Sequence, residues 1–185
     1  MGNSVSRATA VQNVCVYCGS SAGNDPQFRA AANVLGGQLA AAGIGLVYGG
    51  GSRGLMGEVA RATKSAGGRV VGIIPDFLIA KEHALEGIDD LIVTSDMHER
   101  KRLMFERSDG FVALPGGIGT LEELIEQMTW SQLGRHDKPI VIVNIAGLWD
   151  PLVDLLQRMR GAGFLHSLET LRYSVVTKAD AVVPA

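Results

Sequence analysis

Short apolar runs and longer amphipathic segments alternate along this chain. Residues 14–18, 44–48, 69–74, 90–94, 111–114 and 140–144 are nearly continuous apolar stretches, most of them closed by glycine, proline or serine. Between them, apolar positions recur every three to four residues at 28–42, 55–66, 97–107 and 149–160, and from the glycine loop after residue 114 to about 133. Continuous apolar runs read as strands buried on both faces, and the 3.6-residue period marks helices lying on a sheet. Asp25-Pro26 supplies a cap and a first-turn proline for the first helix. Residues 77–87 read as irregular or a short helix, and 174–177 as a last short strand. The pattern has no repeat, linker or low-complexity segment. It predicts one Rossmann-like α/β domain over 14–185, a parallel sheet with helices on both faces, after a disordered or extended start over 1–13.

Composition narrows the class. The 185 residues suffice for one full core, and 17 Lys and Arg against 19 Asp and Glu give a net charge of −2. No basic block stands out, so neither nucleic acid nor a membrane surface is an expected partner. No apolar run approaches the ~20 residues of a membrane span and no signal peptide is visible, so a soluble, cytoplasmic protein is expected. Met1-Gly2-Asn3-Ser4-Val5-Ser6 fits a myristoylation pattern that matters only in a eukaryotic cell, and a disordered start is the expectation. Cys15 and Cys18 have C-x-x-C spacing, but on a strand residues three apart face opposite ways and no second pair exists. Two buried thiols are expected, and no metal site.

In a parallel sheet every strand-to-helix loop lies on one edge, and four of these loops are unusual. Ser20-Ser21 follows the first strand and Gly49-Gly50-Gly51-Ser52-Arg53-Gly54 the second; Met97-His98-Glu99-Arg100-Lys101 follows the fourth, and Gly116-Gly117-Ile118-Gly119-Thr120-Leu121-Glu122-Glu123 the fifth. Gly49-x-Gly51-x-x-Gly54 has dinucleotide-fingerprint spacing, with Asp76 in the place of the ribose-binding acid. It follows the second strand instead of the first, and tight-turn glycines or a mononucleotide site fit it as well. Arg100 and Lys101 sit at a helix start capped by Asp96 with Glu99 as box partner, where the dipole disfavours cations. An anion is therefore expected nearby, either a ligand phosphate or a carboxylate of the next loop. The glycine loop before Glu123 has the parts of a phosphate site. The competing reading is a Thr120-x-x-Glu123 capping box that only starts a helix. On a wheel of ~100° per residue, Leu121, Leu124, Ile125 and Met128 form the core face, Glu122, Glu126 and Thr129 a flank, and Glu123 points away from the core. Periodicity does not choose between Glu122 and Glu123.

Met97-His98-Glu99-Arg100-Lys101 followed by Pro115-Gly116-Gly117-Ile118-Gly119-Thr120-Leu121-Glu122-Glu123 resembles the lonely guy family of cytokinin riboside 5′-monophosphate phosphoribohydrolases, formerly labelled lysine decarboxylases. Cys18-Gly19-Ser20-Ser21, Tyr48-Gly49-Gly50-Gly51, Gly54-Leu55-Met56-Gly57 and Thr129-Trp130 extend the resemblance across most of the chain. The resemblance implies hydrolysis of the N-glycosidic bond of a nucleoside 5′-monophosphate, AMP or a cytokinin riboside monophosphate, without a cofactor. It implies Arg100 and Glu123 as the catalytic pair. It also implies substrate contacts at Glu82, Lys101, Gly117, Ile118, Gly119, Thr120, Leu121, Glu122 and Thr129. Ser20, Gly49, Gly50 and Gly51 join them from the neighbouring loops. Ile118 stands where the family often has tyrosine, a change that a backbone-binding position tolerates. A homodimer with sites at or near the interface is implied too. Three other readings stay in play: a nucleotide-binding or carrier protein without turnover, an NAD-dependent enzyme, and a lysine decarboxylase.

Overall fold

The computed structural model describes residues 11–165 and 172–184. The expectations for Met1 to Ser6, and for the start of the 1–13 segment, lie outside those residues. Seven strands form one parallel sheet: β1 (Asn13–Tyr17), β2 (Gly45–Tyr48), β3 (Val70–Pro75), β4 (Asp90–Thr94), β5 (Gly110–Ala113), β6 (Ile140–Val143) and β7 (Ser174–Val176). Their order is β4-β3-β2-β1-β5-β6-β7. The helices are α1 (Pro26–Ala41), α2 (Gly54–Ser65), α3 (Asp76–Glu82), α4 (Met97–Glu106), α5 (Ile118–Gln132) and α6 (Asp150–Gly161). The chain winds outward from β1 to β4, returns to the other side of β1, and continues to β7. The order reverses between β1 and β5, so the loops leaving their carboxyl ends part and open a crevice.

Side chains alternating along the strands build two cores. Val14, Val16, Leu46, Tyr48, Val112 and Leu114 face α1 and α2, while Cys15, Tyr17, Val47, Ile73, Phe111 and Ala113 face α4, α5 and α6. Cys15 and Cys18 fall into opposite cores as free, buried thiols. Burial on both faces holds for the central strands but not for the edge strand β4, where Leu91 and Val93 are 41% and 51% exposed. Edge strands have one neighbour, and here a helix covers only one face.

The helix starts are set locally. Asp25 accepts from the Gln27 amide with Pro26 in the first turn, as the sequence predicts. Asp96 caps α4 by accepting from the Glu99 amide at 2.8 Å. Glu99 accepts from the Ser95 amide and hydroxyl instead of from the Asp96 amide, so the box closes one residue earlier than its spacing suggests. Asp76 sits in the first turn of α3 and accepts from the Phe77 amide. It serves a helix start.

Candidate active site

The crevice between the β1 and β5 loops opens into a cleft of about 420 Å³, roomy enough for a mononucleotide, with Ser20 and the start of α5 on one side and α3 and α4 on the other. Its floor is built on Arg100, which is only 6% exposed. Nε donates to the Ile73 carbonyl at 3.1 Å, Nη2 to the Gly49 carbonyl at 3.1 Å, and Nη1 reaches the Met97 sulfur at 3.8 Å. A buried cation is costly unless its donors are met, and here neutral acceptors meet three of the five N–H groups, so the charge and the remaining donors stay available. Gly49 is what admits the guanidinium, because a Cβ there would overlap Arg100 Nη2. Gly49, Gly50 and Gly51 thus stand behind Arg100 and α3, and none of them lines the cleft. The α2 start that they lead to is already filled, since the amides of Leu55 and Met56 both donate to the Gly19 carbonyl. This removes the basis for a pyrophosphate site at the second loop.

The start of α5 is different. Its N-cap is Gly117, with no side-chain cap, and Leu121 N to Gly117 O closes the first turn. Thr120 lies inside that turn, buried against Gly116, so the competing Thr120-x-x-Glu123 capping box does not form. No group of the described residues accepts from the amides of Ile118, Gly119 and Thr120. Open N–H groups at the positive end of a helix dipole favour an anion. Nothing lies within 4 Å of where a Cβ of Gly117 or Gly119 would stand. Neither glycine is required by packing, and both leave that space to a ligand.

The carboxylates separate into roles. Lys101 binds Glu122 at 2.6 Å and Glu126 at 3.0 Å, tying α4 to α5. For Lys101 the expected anion is therefore the neighbouring helix. Burial lowers the affinity of Lys101 for its proton, and the two carboxylates more than reverse this, so its pKa is raised. Glu122 faces the cleft rim in that ion pair, whereas Glu123 forms none among the described residues. Glu123 points into the cleft, half-buried between helices, which the helical wheel of one chain reads only as away from its own core. Burial pushes its pKa up to about 7, against the opposing pull of Arg100. Glu82 closes the far side from α3, with its Oε2 buried and without a hydrogen-bond partner among the described residues. Leu121 packs on the second core behind the cleft. Thr129 lies nearly three turns down α5, exposed and bonded to the Ile125 carbonyl, outside this cleft.

Sequence reasoning missed Met56, Leu78 and Cys18 as apolar walls of the cleft, and Met97 as a partner of Arg100. Met97 stood within a quoted motif; nothing in the pattern marked Leu78. A second cavity of about 300 Å³ shares Gly19, Ser20 and Gly117 with the cleft and ends against Phe28 and Leu148. Among the described residues no group of His, Cys, Asp and Glu converges as a metal site would need.

Fold and site together define a Rossmann-type α/β protein with an anion-receptive helix start beside a buried arginine and a poised glutamate. Residues 56–185 match the family model described as possible lysine decarboxylase. The chain is 46% identical to the probable cytokinin riboside 5′-monophosphate phosphoribohydrolase LOGL1 of Oryza sativa subsp. japonica, over 90% of this chain and 78% of the relative. It is 44% identical to the cytokinin riboside 5′-monophosphate phosphoribohydrolase LOG1 of Arabidopsis thaliana, over 92% and 79%. The chain belongs to this family. Among solved structures, the molybdenum cofactor carrier protein of Chlamydomonas reinhardtii superposes with a TM-score of 0.72 over 94% of both chains. At 23% identity that likeness speaks for the fold alone.

Proposed function

We propose that this chain hydrolyses the N-glycosidic bond of nucleoside 5′-monophosphates of the cytokinin riboside type, releasing the base and ribose 5-phosphate. The observation that carries the reading is the open α5 start facing the same cleft as Arg100 and Glu123. The amides of Ile118, Gly119 and Thr120, with Ser20, hold the 5′-phosphate. Glycosidic cleavage builds positive charge on the ribose, which the Glu123 carboxylate stabilises while it orients and deprotonates the attacking water. Arg100 favours the ionised form of Glu123 against the opposing effect of burial, and holds substrate oxygens through its remaining N–H groups. Glu82, with a free acceptor atom, takes a hydroxyl or amino group of the substrate. Phosphate contacts remote from the broken bond lend binding energy to the reaction.

The decarboxylase description of the family does not fit these residues. A pyridoxal phosphate enzyme needs a lysine amine free to form a Schiff base, and Lys101, the only lysine of the two motifs, is held charged by two carboxylates. We further propose a cytoplasmic homodimer; the dimer is supported by the apolar Ile118 at the start of α5 and Leu133 just past its end, 83% and 76% exposed. Product chromatography from AMP and from isopentenyladenosine monophosphate at equal concentration tests the reading. Free base with equimolar ribose 5-phosphate is expected. Tight binding with no base released over hours would replace it with a nucleotide carrier.

A further inference from the structure

We propose that Met97 is a redox-sensitive position of this site: peroxide oxidation of its thioether to the sulfoxide captures Arg100 and shuts the site down reversibly. The inference rests on the hydrolase reading for its effect on activity, and on geometry for its effect on Arg100. The chain has six methionines. Met56, Met104 and Met128 are 6%, 1% and 3% exposed, and Met1 lies outside the described residues. Met159 is exposed on α6, away from the cleft. Met97 alone among the described methionines is both solvent-accessible and on the cleft wall.

Its sulfur is also the weakest of the three acceptors that fix Arg100. A thioether accepts hydrogen bonds poorly, so it steers Nη1 without holding it and leaves that edge of the guanidinium free to turn to substrate. A sulfoxide oxygen is a strong, polar acceptor on the same side chain. It would hold Nη1 away from the substrate and put a polar group into an apolar wall.

In the oxidation a sulfur lone pair attacks one peroxide oxygen, and the S–O bond forms as the O–O bond breaks. The departing hydroxide takes the proton from the transferred oxygen and leaves as water. Sulfur is oxidised by two electrons and peroxide is reduced. Methionine sulfoxide reductase with a thiol reductant restores the thioether. The thiols do not compete: burial pushes Cys15 and Cys18 far above the ordinary thiol range, so neither presents a thiolate to peroxide.

The test treats the full chain and its Met97→Leu, Met97→Gln and Met159→Leu variants with hydrogen peroxide, comparing each with its own untreated activity. Mass spectrometry follows oxygen addition at each methionine. In the parent, base release is expected to fall roughly tenfold or more as Met97 is oxidised, and to return with the reductase. Met159→Leu should lose activity in step with the parent. Met97→Leu starts somewhat lower, lacking the acceptor, and keeps what it has; Met97→Gln starts impaired, since its amide oxygen imitates the sulfoxide. Equal inactivation of Met97→Leu, or full oxidation of Met97 with activity intact, overturns the proposal. If the untreated parent releases no base, the hydrolase reading fails on its own. The NMR resonances of the Arg100 guanidinium then decide: they shift on oxidation if Met97 captures it, and unchanged resonances overturn the inference.

Discussion

At the scale of single residues, the proposed site depends on a buried arginine and a half-buried glutamate that are near but not paired. Arg100 is satisfied by backbone carbonyls and a thioether, and Glu123 feels it across the cleft. Replacing Arg100 by Ala is expected to lower kcat/KM by ~10²–10³. It also costs about 1–3 kcal/mol in a denaturant melt, because two buried carbonyls lose their donor. Glu123→Gln should lose ~10²-fold or more while folding normally, and Glu122→Gln, which only loosens an ion pair, much less. Product chromatography with steady-state rates checks all three. With a Glu123 pKa near 7, kcat/KM of the parent should climb as the pH rises through neutrality, since the carboxylate is the working form. Stability runs the other way. The carboxyl holds its proton more tightly folded than unfolded, so its contribution is complete below about pH 4.5 and lost as the pH rises through about 7. Glu123→Gln should therefore melt higher than the parent above pH 7, by at most about 3 kcal/mol, with the gap closing toward pH 4.5.

At the scale of elements, α4 and α5 divide the work. α4 spends its first turn on its own cap and on Arg100 and Lys101, while α5 leaves its first turn open. The Lys101 clamp onto Glu122 and Glu126 fixes one helix against the other, so Arg100 and Glu123 arrive at the cleft in register. Gly119 exposes the functional cost of that open turn. An alanine there meets no protein atom and improves helix propensity, so Gly119→Ala should stabilise the fold by up to about 1 kcal/mol. The same methyl group occupies the ligand's space, so KM for a nucleoside monophosphate should rise at the same time. Thermal melts and Michaelis curves on one preparation read both effects. A gain in stability with unchanged KM would mean the phosphate lies elsewhere. The α2 and α4 starts differ, because the Leu55 and Met56 amides donate to the Gly19 carbonyl and the Glu99 amide to the Asp96 carboxylate.

At the scale of the whole molecule, the reversal of strand order between β1 and β5 brings loops about a hundred residues apart in the chain onto one crevice. The second cavity, sharing Gly19, Ser20 and Gly117 with the cleft, lies between the same two loops. Thr129 does not reach the cleft of its own chain, and the apolar surface of α5 beside it is uncovered. Sedimentation equilibrium is expected to return twice the monomer mass, and Leu133→Lys to shift the protein toward monomer. A monomer at micromolar concentration would leave Thr129 outside any site.

The order of elements, the sheet type and the two motifs were legible in the sequence because each follows from near neighbours. Apolar period, caps and glycine loops act within about a dozen residues. The same locality explains why two patterns left competing readings open. Thr120-x-x-Glu123 has capping-box spacing, and only the packing of Gly116 against Thr120 moves the helix start back to Gly117. Gly49-x-Gly51-x-x-Gly54 has fingerprint spacing, and only Arg100, arriving from α4, and the Gly19 carbonyl, arriving from β1, show what those residues serve. The different surroundings of Glu123 and Glu122 were likewise beyond any pattern within α5. Burial, the facing Arg100 and the capture of Glu122 by Lys101 are long-range contacts, and they exist only once the sheet has brought four loops to one edge.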